Sequence, residues 1–254
     1  MQRLVCAVLM VVLVTQTERD LPAQSPFYHS QNFSTGLIGW WKLCGDTAMG
    51  GACAASAATA VGDSSGSGNT GTWSGSAAGS IGYYAAGKVG PWAGYFNGSN
   101  NKVLLPGLGL TGSSDITLCA WVNFSTLSQS DFLQIGGQSS GAAVSIDYDP
   151  DYNRNLNLVT YASTSRLTSS FTPTVGIWYF ICAVLTGGNT GRLYVNATQQ
   201  AAGTLNYAGL AGSNGYLIGS YGSGGYLNGS VNEVRIYNRA LSAGEITAMY
   251  LMHN

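Results

Sequence analysis

The sequence predicts an all-β fold, an antiparallel two-sheet sandwich or jelly roll, with one short helix at the C-terminal end. Three observations favour this class. Short runs alternate apolar and polar residues with a period of two, as in "ITLCAWVNF" and "RLYVNATQ". Gly (36 residues), Asn, Asp and Ser separate these runs, which is typical of tight turns between strands. The length of 254 residues is enough for one large all-β domain.

The predicted strands follow one another along most of the chain. They cover residues 37–44, 70–74, 93–97, 101–105, 115–124, 131–136, 142–149, 155–162, 177–186, 191–196, 215–221 and 229–238. Residues 45–71 lack periodicity and predict a long loop. The helix comes last, in "ALSAGEI": Ser242 and Glu245 have the spacing of a capping box, and Leu241 and Ile246 that of a hydrophobic staple.

The N-terminal residues predict export. One arginine precedes an apolar run from Leu4 to Val14, which is too short to span a bilayer and has the length of a signal-peptide core. Cleavage after Ala23 gives a signal peptide over 1–23, a flexible lead-in over 24–36 and one domain over 37–254. A buried N-terminal strand is the alternative. We therefore expect a secreted protein without a membrane span in its mature chain.

Charge is sparse and restricts the choice of partners. The formal net charge is -1 and the sequence contains no basic run, which argues against nucleic acid or an anionic membrane as partner. Two charged residues near the C-terminus, Glu233 and Arg235, lie two positions apart on one predicted strand. Because they share a face, we expect them to pair with each other or with neighbouring strands.

Four cysteines remain after export: Cys44, Cys53, Cys119 and Cys182. An oxidising environment favours disulfides, and four cysteines allow three pairings. Their spacing lacks the CxxC pattern of zinc sites.

A family resemblance rests on motifs that follow one another in order: "GLIGWWKLCGD", "VGDSSGSGNTGTWSG", "AGYFNGSNNKVLLPG", "DITLCAWVNF", "WYFICAVLTGG" and "YLNGSVNEVRIYNRALSAGEI". Together they resemble the laminin-G-like jelly rolls of the concanavalin A-like lectin/glucanase superfamily, over roughly residues 37–250. The resemblance implies two antiparallel sheets packed face to face. Members are mainly extracellular carbohydrate-binding, adhesion or accessory modules, and a minority is catalytic. Pentraxins, which are similar in fold, have a disulfide between the two strands that match "ITLCAWV" and "WYFICAV". This resemblance implies a Cys119–Cys182 disulfide and leaves Cys44 to pair with Cys53.

The resemblance also implies a structural calcium site, since jelly rolls of this kind often bind Ca²⁺. At the matching positions this sequence has Asp63 and Asn69 in "GDSSGSGNTG", Asn97 in "FNGSNNKV", and Asn232 beside Glu233. Each asparagine that replaces an acidic residue offers an oxygen but removes a charge that attracts a hard dication. The alternative is that Asp63 and Asn69 simply support turns.

The sequence predicts no catalytic residues. His29 and His253 both lie near the chain ends, which makes a histidine-activated nucleophile improbable. Glycosidases of the superfamily carry an ExDxE strand, and that motif is absent. The nearest substitute is the alternation of Asp147, Asp149 and Asp151 in "SIDYDPDYN". It has three interpretations: a solvated hairpin loop, a calcium-binding loop, or a catalytic carboxylate pair.

Sugar recognition usually combines an aromatic platform with amide or hydroxyl groups. The candidates are Tyr148 and Tyr152 of the Asp-rich hairpin, and Tyr221 and Tyr226 of "GSYGSGGYLNG". Ordinary loop packing is the alternative for each. We therefore expect a secreted, non-catalytic carbohydrate-binding or adhesion module that binds extracellular glycan. The alternatives are a polysaccharide hydrolase or lyase using Asp147–Asp151, and a self-associating extracellular structural protein.

Overall fold

The computed structural model describes residues 32–44, 59–78, 82–137, 142–161, 165–210 and 215–253. Within them the chain forms β1 (Leu37–Trp41), β2 (Ala60–Val61), β3 (Gly71–Ser74), β4 (Tyr84–Ala86), β5 (Trp92–Asn97), β6 (Lys102–Leu105), β7 (Ile116–Phe124), β8 (Ser130–Gly137), β9 (Ala142–Asp149), β10 (Asn155–Thr160), β11 (Arg166–Thr168), β12 (Trp178–Thr186), β13 (Thr190–Val195), β14 (Thr198–Thr204), β15 (Tyr216–Ile218), β16 (Asn228–Tyr237) and α1 (Ala243–Leu251). The predicted signal peptide and residues 24–31 of the lead-in lie outside the described residues, so these predictions stay predictions.

The strands form two antiparallel sheets, as a jelly-roll sandwich requires. The first sheet has the order β14-β13-β12-β7-β16-β5-β4. The strand β1 also pairs with β16, at residues 234–237, whereas β5 pairs with residues 228–231 of the same strand. The second sheet has the order β11-β10-β9-β8-β15-β6-β3-β2. The apolar residues of both inner faces form one large core cluster. The predicted fold class is confirmed.

The strands that the sequence analysis missed are short or lie at sheet edges: β2, β4, β11 and β14. Pairing with a neighbouring strand holds them, so their own sequences carry little alternation. β2 lies inside the stretch predicted as a long loop, most of which, residues 45–58, is outside the described residues. β1 ends at Trp41, earlier than predicted, and Leu43 just beyond it has φ 53°, which leaves the strand conformation.

The helix α1 begins as predicted. Ser242 is the N-cap: its hydroxyl accepts from the Glu245 N–H at 3.2 Å, and the Glu245 carboxylate accepts from the Ser242 N–H at 2.8 Å. Ile246 and Met249 pack on the outer face of the first sheet, in a second cluster with Trp121. In the described part of the chain, no helix is long and apolar enough to cross a membrane.

The expected pairing of Glu233 with Arg235 is confirmed, although the strand between them is irregular. Their side chains are 2.6 Å apart and buried. Glu233 has φ 57° and the register of β16 against β7 shifts there, which is a β-bulge. The Trp40 indole donates to the Glu233 carboxylate at 2.8 Å, and the Arg235 guanidinium lies 4.6 Å from the Trp40 ring. The Glu233–Arg235 ion pair and its contacts with Trp40 therefore hold β1 against β16.

The Cys119–Cys182 disulfide that the resemblance implied is present. The two residues are direct partners in the β7–β12 pairing and lie beneath α1. Cys44 is buried, but its predicted partner Cys53 lies outside the described residues. The Cys44–Cys53 bond stays a prediction.

Candidate functional site

The outer faces of the two sheets differ in what covers them. The helix α1 packs on the outer face of the first sheet. In the second sheet, β9 directs Val144, Ile146 and Tyr148 into the core, so that Ser145 and Asp147 point outward. The neighbouring strands β8, β10 and β11 also place polar residues at the positions that lie beside Asp147 in the strand register. We call this outward side of β8–β11 the polar face.

The polar face brings three carboxylates and one guanidinium close together. Asp131 of β8 lies directly opposite Asp147 of β9 in the strand register. The Arg166 guanidinium contacts Asp147 at 3.5 Å and Asp149 at 3.4 Å. We call Asp131, Asp147, Asp149 and Arg166 the acid cluster.

Asp131 is held by two hydroxyl donors. Tyr161 donates to its carboxylate at 2.9 Å, and the Ser145 hydroxyl donates to the same oxygen. Sequence reasoning missed Asp131 because it faces Asp147 only through the register of the β8–β9 pair, which no local pattern records. Its position near the start of a predicted strand was the only available signal.

Burial raises the pKa of two carboxyl groups in the acid cluster, those of Asp131 and Asp147. Loss of hydration raises the pKa of Asp131 to about 6. Loss of hydration and then the charge of Asp131 raise the pKa of Asp147 to about 7. Burial and the nearby Asp131 carboxylate also raise the pKa of Tyr161, so this phenol stays neutral and keeps its proton for Asp131.

One side of the polar face is bordered by the turn after β9. The Asp149 carboxylate accepts from the N–H groups of Asp151 and Tyr152, both at 3.1 Å, and so fixes the turn. Tyr152 is 63% exposed, and the Arg166 guanidinium lies 4.4 Å from the centre of its ring. This turn presents a supported aromatic ring to solvent.

The other side is bordered by loop 219–227, which is closed by a 2.9 Å hydrogen bond from the Leu227 N–H to the Gly219 carbonyl. Its Gly225 carbonyl accepts from the Asp131 N–H at 3.0 Å. Half-buried Tyr221 packs against Gly225, where an added Cβ would lie 2.3 Å from the Tyr221 ring and 2.8 Å from the Asp131 carboxylate. Tyr226, also half-buried, donates to the Gly222 carbonyl at 3.3 Å.

The structure corrects one of the predicted platform residues. Tyr148 does not lie in a loop, because β9 continues to Asp149, directly before Pro150. Its side chain points into the core against Phe124 and is 2% exposed. A ring buried in this way cannot stack on a ligand. Tyr152, Tyr221 and Tyr226 are thus the predicted tyrosines that lie around the polar face.

The residues implied as calcium ligands do not lie in the acid cluster. Asp63 accepts from the N–H groups of Trp40, Ser65 and Asn69, at 2.8 to 2.9 Å, and the Asn69 amide donates to the Ile38 carbonyl. These contacts brace loop 63–69 against β1. They match the alternative in which Asp63 and Asn69 support turns.

Asn97 and Asn232 also have structural contacts. The Asn97 side-chain oxygen accepts from the N–H groups of residues 99, 100 and 101 in one turn. Buried Asn232 accepts from the Val89 N–H at 2.8 Å and donates to the Lys42 carbonyl at 2.6 Å. Among the described residues, no group of three His, Cys, Asp or Glu side chains could hold a metal ion. Calcium binding stays a prediction.

The geometry also bears on the predicted catalytic alternative. Asp151 lies exposed on the turn, while Asp147 lies buried in the sheet, so the alternation of the three aspartates breaks after Asp149. His253 lies 3.9 Å from Glu233, away from the acid cluster, and burial followed by the charges of Arg235 and Lys88 lowers its pKa to about 4. The polar face thus contains buried, fixed donors and acceptors, with the exposed Tyr152 ring at its border.

A separate cavity of about 260 Å³ lies on the first sheet, beside the end of α1. Phe33, Leu37, Trp40 and Met252 form much of its wall, with Ser64 and Ser65 from loop 63–69. Its lining is largely apolar, in contrast to the polar face.

Comparison with solved structures finds the same fold. Domain 4 of the extracellular GH43 arabinanase AbnA from Geobacillus stearothermophilus, solved with arabinotriose, has a TM-score of 0.65 and 21% identity, covering 84% of this chain and 98% of that one. The binding domain of Paraclostridial Mosquitocidal Protein 1 has a TM-score of 0.61 and 15% identity, covering 85% and 52%. Trypanosoma rangeli sialidase has a TM-score of 0.59 and 16% identity, covering 85% and 33%.

The chain thus spans nearly all of the arabinanase domain, but about half of the toxin chain and a third of the sialidase. No curated protein sequence matched this chain. Residues 97–247 match the family Laminin_G_3, of the Concanavalin A-like lectin/glucanases superfamily. With this match and the two-sheet jelly roll, the chain belongs to the laminin-G-like family of that superfamily.

Proposed function

We propose that this chain is an extracellular, non-catalytic carbohydrate-binding module whose polar face receives a glycan. The observation that carries the proposal is Tyr152, an aromatic ring that is 63% exposed and supported by Arg166 beside fixed polar groups. A sugar is recognised by such a ring, against which its C–H face stacks, together with nearby hydrogen-bonding groups.

Further features of the same face support glycan binding. Loop 219–227 brings Tyr221 next to the acid cluster through Gly225. Asn153 donates to Asn157 and to Thr168, both at 3.1 Å, which fixes amide and hydroxyl groups on the neighbouring strands. The similar arabinanase domain was solved with arabinotriose, which supports an oligosaccharide as the ligand class.

Secretion is supported by the disulfide. The Cys119–Cys182 bond is of a kind that persists in oxidising compartments and is rare in the cytosol. The signal peptide predicted over residues 1–23 agrees with an extracellular location.

The absence of catalysis is supported by the burial of the acid cluster. A glycosidase needs two carboxyl groups that both reach the scissile bond. Asp131 and Asp147 are 1% and 2% exposed and are held by Tyr161 and Arg166. A polysaccharide chain lying on the surface would not contact them both.

The test is calorimetric titration with a panel of oligosaccharides that includes arabinotriose. We expect saturable binding, which Tyr152→Ala weakens by roughly tenfold because the stacking ring is lost. Tyr152→Phe is the matched control: it keeps the ring and should stay close to wild type. Equal binding by wild type and Tyr152→Ala would remove this face as the site.

Two parallel assays separate the alternative functions. Release of reducing ends from the polysaccharides would instead indicate a hydrolase or lyase. Concentration-dependent assembly seen by light scattering, without affinity for any oligosaccharide, would indicate a self-associating structural protein.

A further inference from the structure

The acid cluster carries more negative than positive charge. Three carboxylates, Asp131, Asp147 and Asp149, share the guanidinium of Arg166, which contacts two of them at 3.4 and 3.5 Å. When all three carboxylates are ionised, the cluster has an excess of two negative charges. Among the described residues, no second cation forms an ion pair with these carboxylates.

Burial makes this charge act over a longer range than a surface charge would. Asp131 and Asp147 have almost no exposed surface, so water and salt screen them less than they screen exposed groups. Tyr152 and Tyr221 border the cluster, so its charge acts on a ligand that contacts these rings. Lys102, which donates to the Gly222 carbonyl at 2.5 Å, offsets part of this charge on the Tyr226 side of loop 219–227.

The hydrogen bonds of this face are also incomplete. Within the described part of the chain, two buried acceptors, the Oδ1 atom of Asp147 and the Oε1 atom of Gln134, have no hydrogen-bond partner. The buried Nη1 atom of Arg166, a donor, has none either, but it lies 3.5 Å from Asp147 in the ion pair. This excess of acceptors over donors favours hydroxyl donors over carboxylate oxygens in a ligand that lies on the face.

An arginine in a glycan site often serves to bind a carboxylate of the sugar. Here the guanidinium contacts Asp147 and Asp149, and it also lies 4.4 Å from the centre of the Tyr152 ring. The carboxylate of a uronic acid would have to compete with both aspartates for the Arg166 guanidinium.

We infer that the polar face selects neutral glycans and rejects glycans that carry uronic acid residues, with Asp147 as the residue that determines this selectivity. The inference rests on the proposed function, since it requires that a glycan binds here. The rejection is electrostatic, so it extends to sugars that do not touch Asp147.

The experiment uses the full chain at pH 8 and low salt. Affinities are measured for the neutral oligosaccharides of the panel and for the same oligosaccharides carrying one uronic acid residue. We expect the uronic acid forms to bind more weakly by on the order of tenfold. Raising the salt concentration should narrow this ratio, because the Debye length shrinks to about 3 Å at 1 M.

Variants then locate the charge. Asp147→Asn should reduce the ratio between neutral and acidic ligands to roughly threefold or less, as one of the two excess charges is lost. Asp149→Asn provides a second variant at a less buried site. Asp115→Asn, at a carboxylate that accepts from the Gly187 N–H outside the cluster, is the control and should keep the wild-type ratio.

The outcomes distinguish the two proposals. Equal affinity for neutral and acidic ligands overturns the selectivity and leaves glycan binding intact. A ratio that neither salt nor the Asp147 and Asp149 variants change overturns the role of the cluster. Binding of no oligosaccharide, neutral or acidic, overturns the proposed function and the selectivity together.

Discussion

At the scale of single residues, the acid cluster places like charges where the sheet forces them together. Asp131 and Asp147 are direct cross-strand partners, a position in which like charges are destabilising. Burial adds the cost of removing each carboxylate from water, and the two effects favour the protonated form. The hydroxyl donors on Asp131 and the guanidinium on Asp147 offset part of this cost.

The stability of the protein should therefore depend on pH. The unfolded chain releases these two protons near pH 3.8, whereas the folded chain keeps them until about pH 6 and 7. Because the folded-state pKa values are raised, the contribution of the protonated pair to the free energy of unfolding is fully present below pH 3.8. It is lost as the pH rises to 7, and the loss amounts to several kcal/mol because both aspartates contribute. Urea unfolding of the wild type between pH 4 and 8 measures this decrease.

Asp147→Asn should flatten that decrease, since asparagine does not titrate. An unchanged slope in this variant would contradict the assignment of the pH dependence to the pair.

Gly225 tests whether loop 219–227 belongs to the binding face. It has φ +54°, and an added Cβ would meet the Tyr221 ring and the Asp131 carboxylate. Gly225→Ala should displace Tyr221 and weaken oligosaccharide binding severalfold. Gly66→Ala is the control, because Gly66 also has positive φ (+87°) but open space around it. If both variants bind like the wild type by calorimetry, loop 219–227 plays no part in recognition.

At the scale of elements, the capping box fixes where α1 begins and hence how the helix covers the first sheet. Ser242→Ala removes the side-chain acceptor of the Glu245 N–H and should lower the free energy of unfolding by about 1 kcal/mol. Thr247→Ala, within the same helix, should cost less, because its hydroxyl only donates back to the Ala243 carbonyl. Equal losses in denaturant titrations would argue against the cap.

Strands in the centre of a sheet were predictable from sequence, and edge strands were not. β7 and β12 are long apolar runs, because both of their faces are covered, and their strand propensity is high. β14, with the sequence TQQAAGT, shows neither apolar alternation nor β-branched enrichment, and it is a strand because β13 offers it hydrogen bonds. Propensity within a segment cannot report a partner elsewhere in the chain.

The same limit applies to the candidate site. The alternation of Asp147 and Asp149 is a local property, and it agrees with their position on one face of β9, where both contact Arg166. Asp131 and Arg166 join them only through strand register, which depends on the whole sheet. The prediction that Tyr148 lies in a loop was wrong. β9 extends to Asp149, directly before Pro150, and the period of two within the strand directs the Tyr148 ring into the core.

At the scale of the whole molecule, the two outer faces differ in structure. The first sheet is closed by α1 and strengthened by the Cys119–Cys182 bond, which links strands 63 residues apart in sequence. Replacing both cysteines with serine should lower the free energy of unfolding by about 4 kcal/mol in the chain-entropy model. Thermal melting of the variant, compared with wild type under oxidising conditions, measures the loss. An unchanged melting temperature would show that the bond adds nothing to stability.

The second sheet is left with the polar face, and the central claim is that this face binds glycan. Titration of isotope-labelled protein with an oligosaccharide that binds, followed by amide chemical shifts, tests the claim most directly. We predict that the shifts concentrate at Tyr152, Arg166 and Tyr221. Shifts confined instead to the cavity beside α1, around Trp40 and Met252, would contradict it.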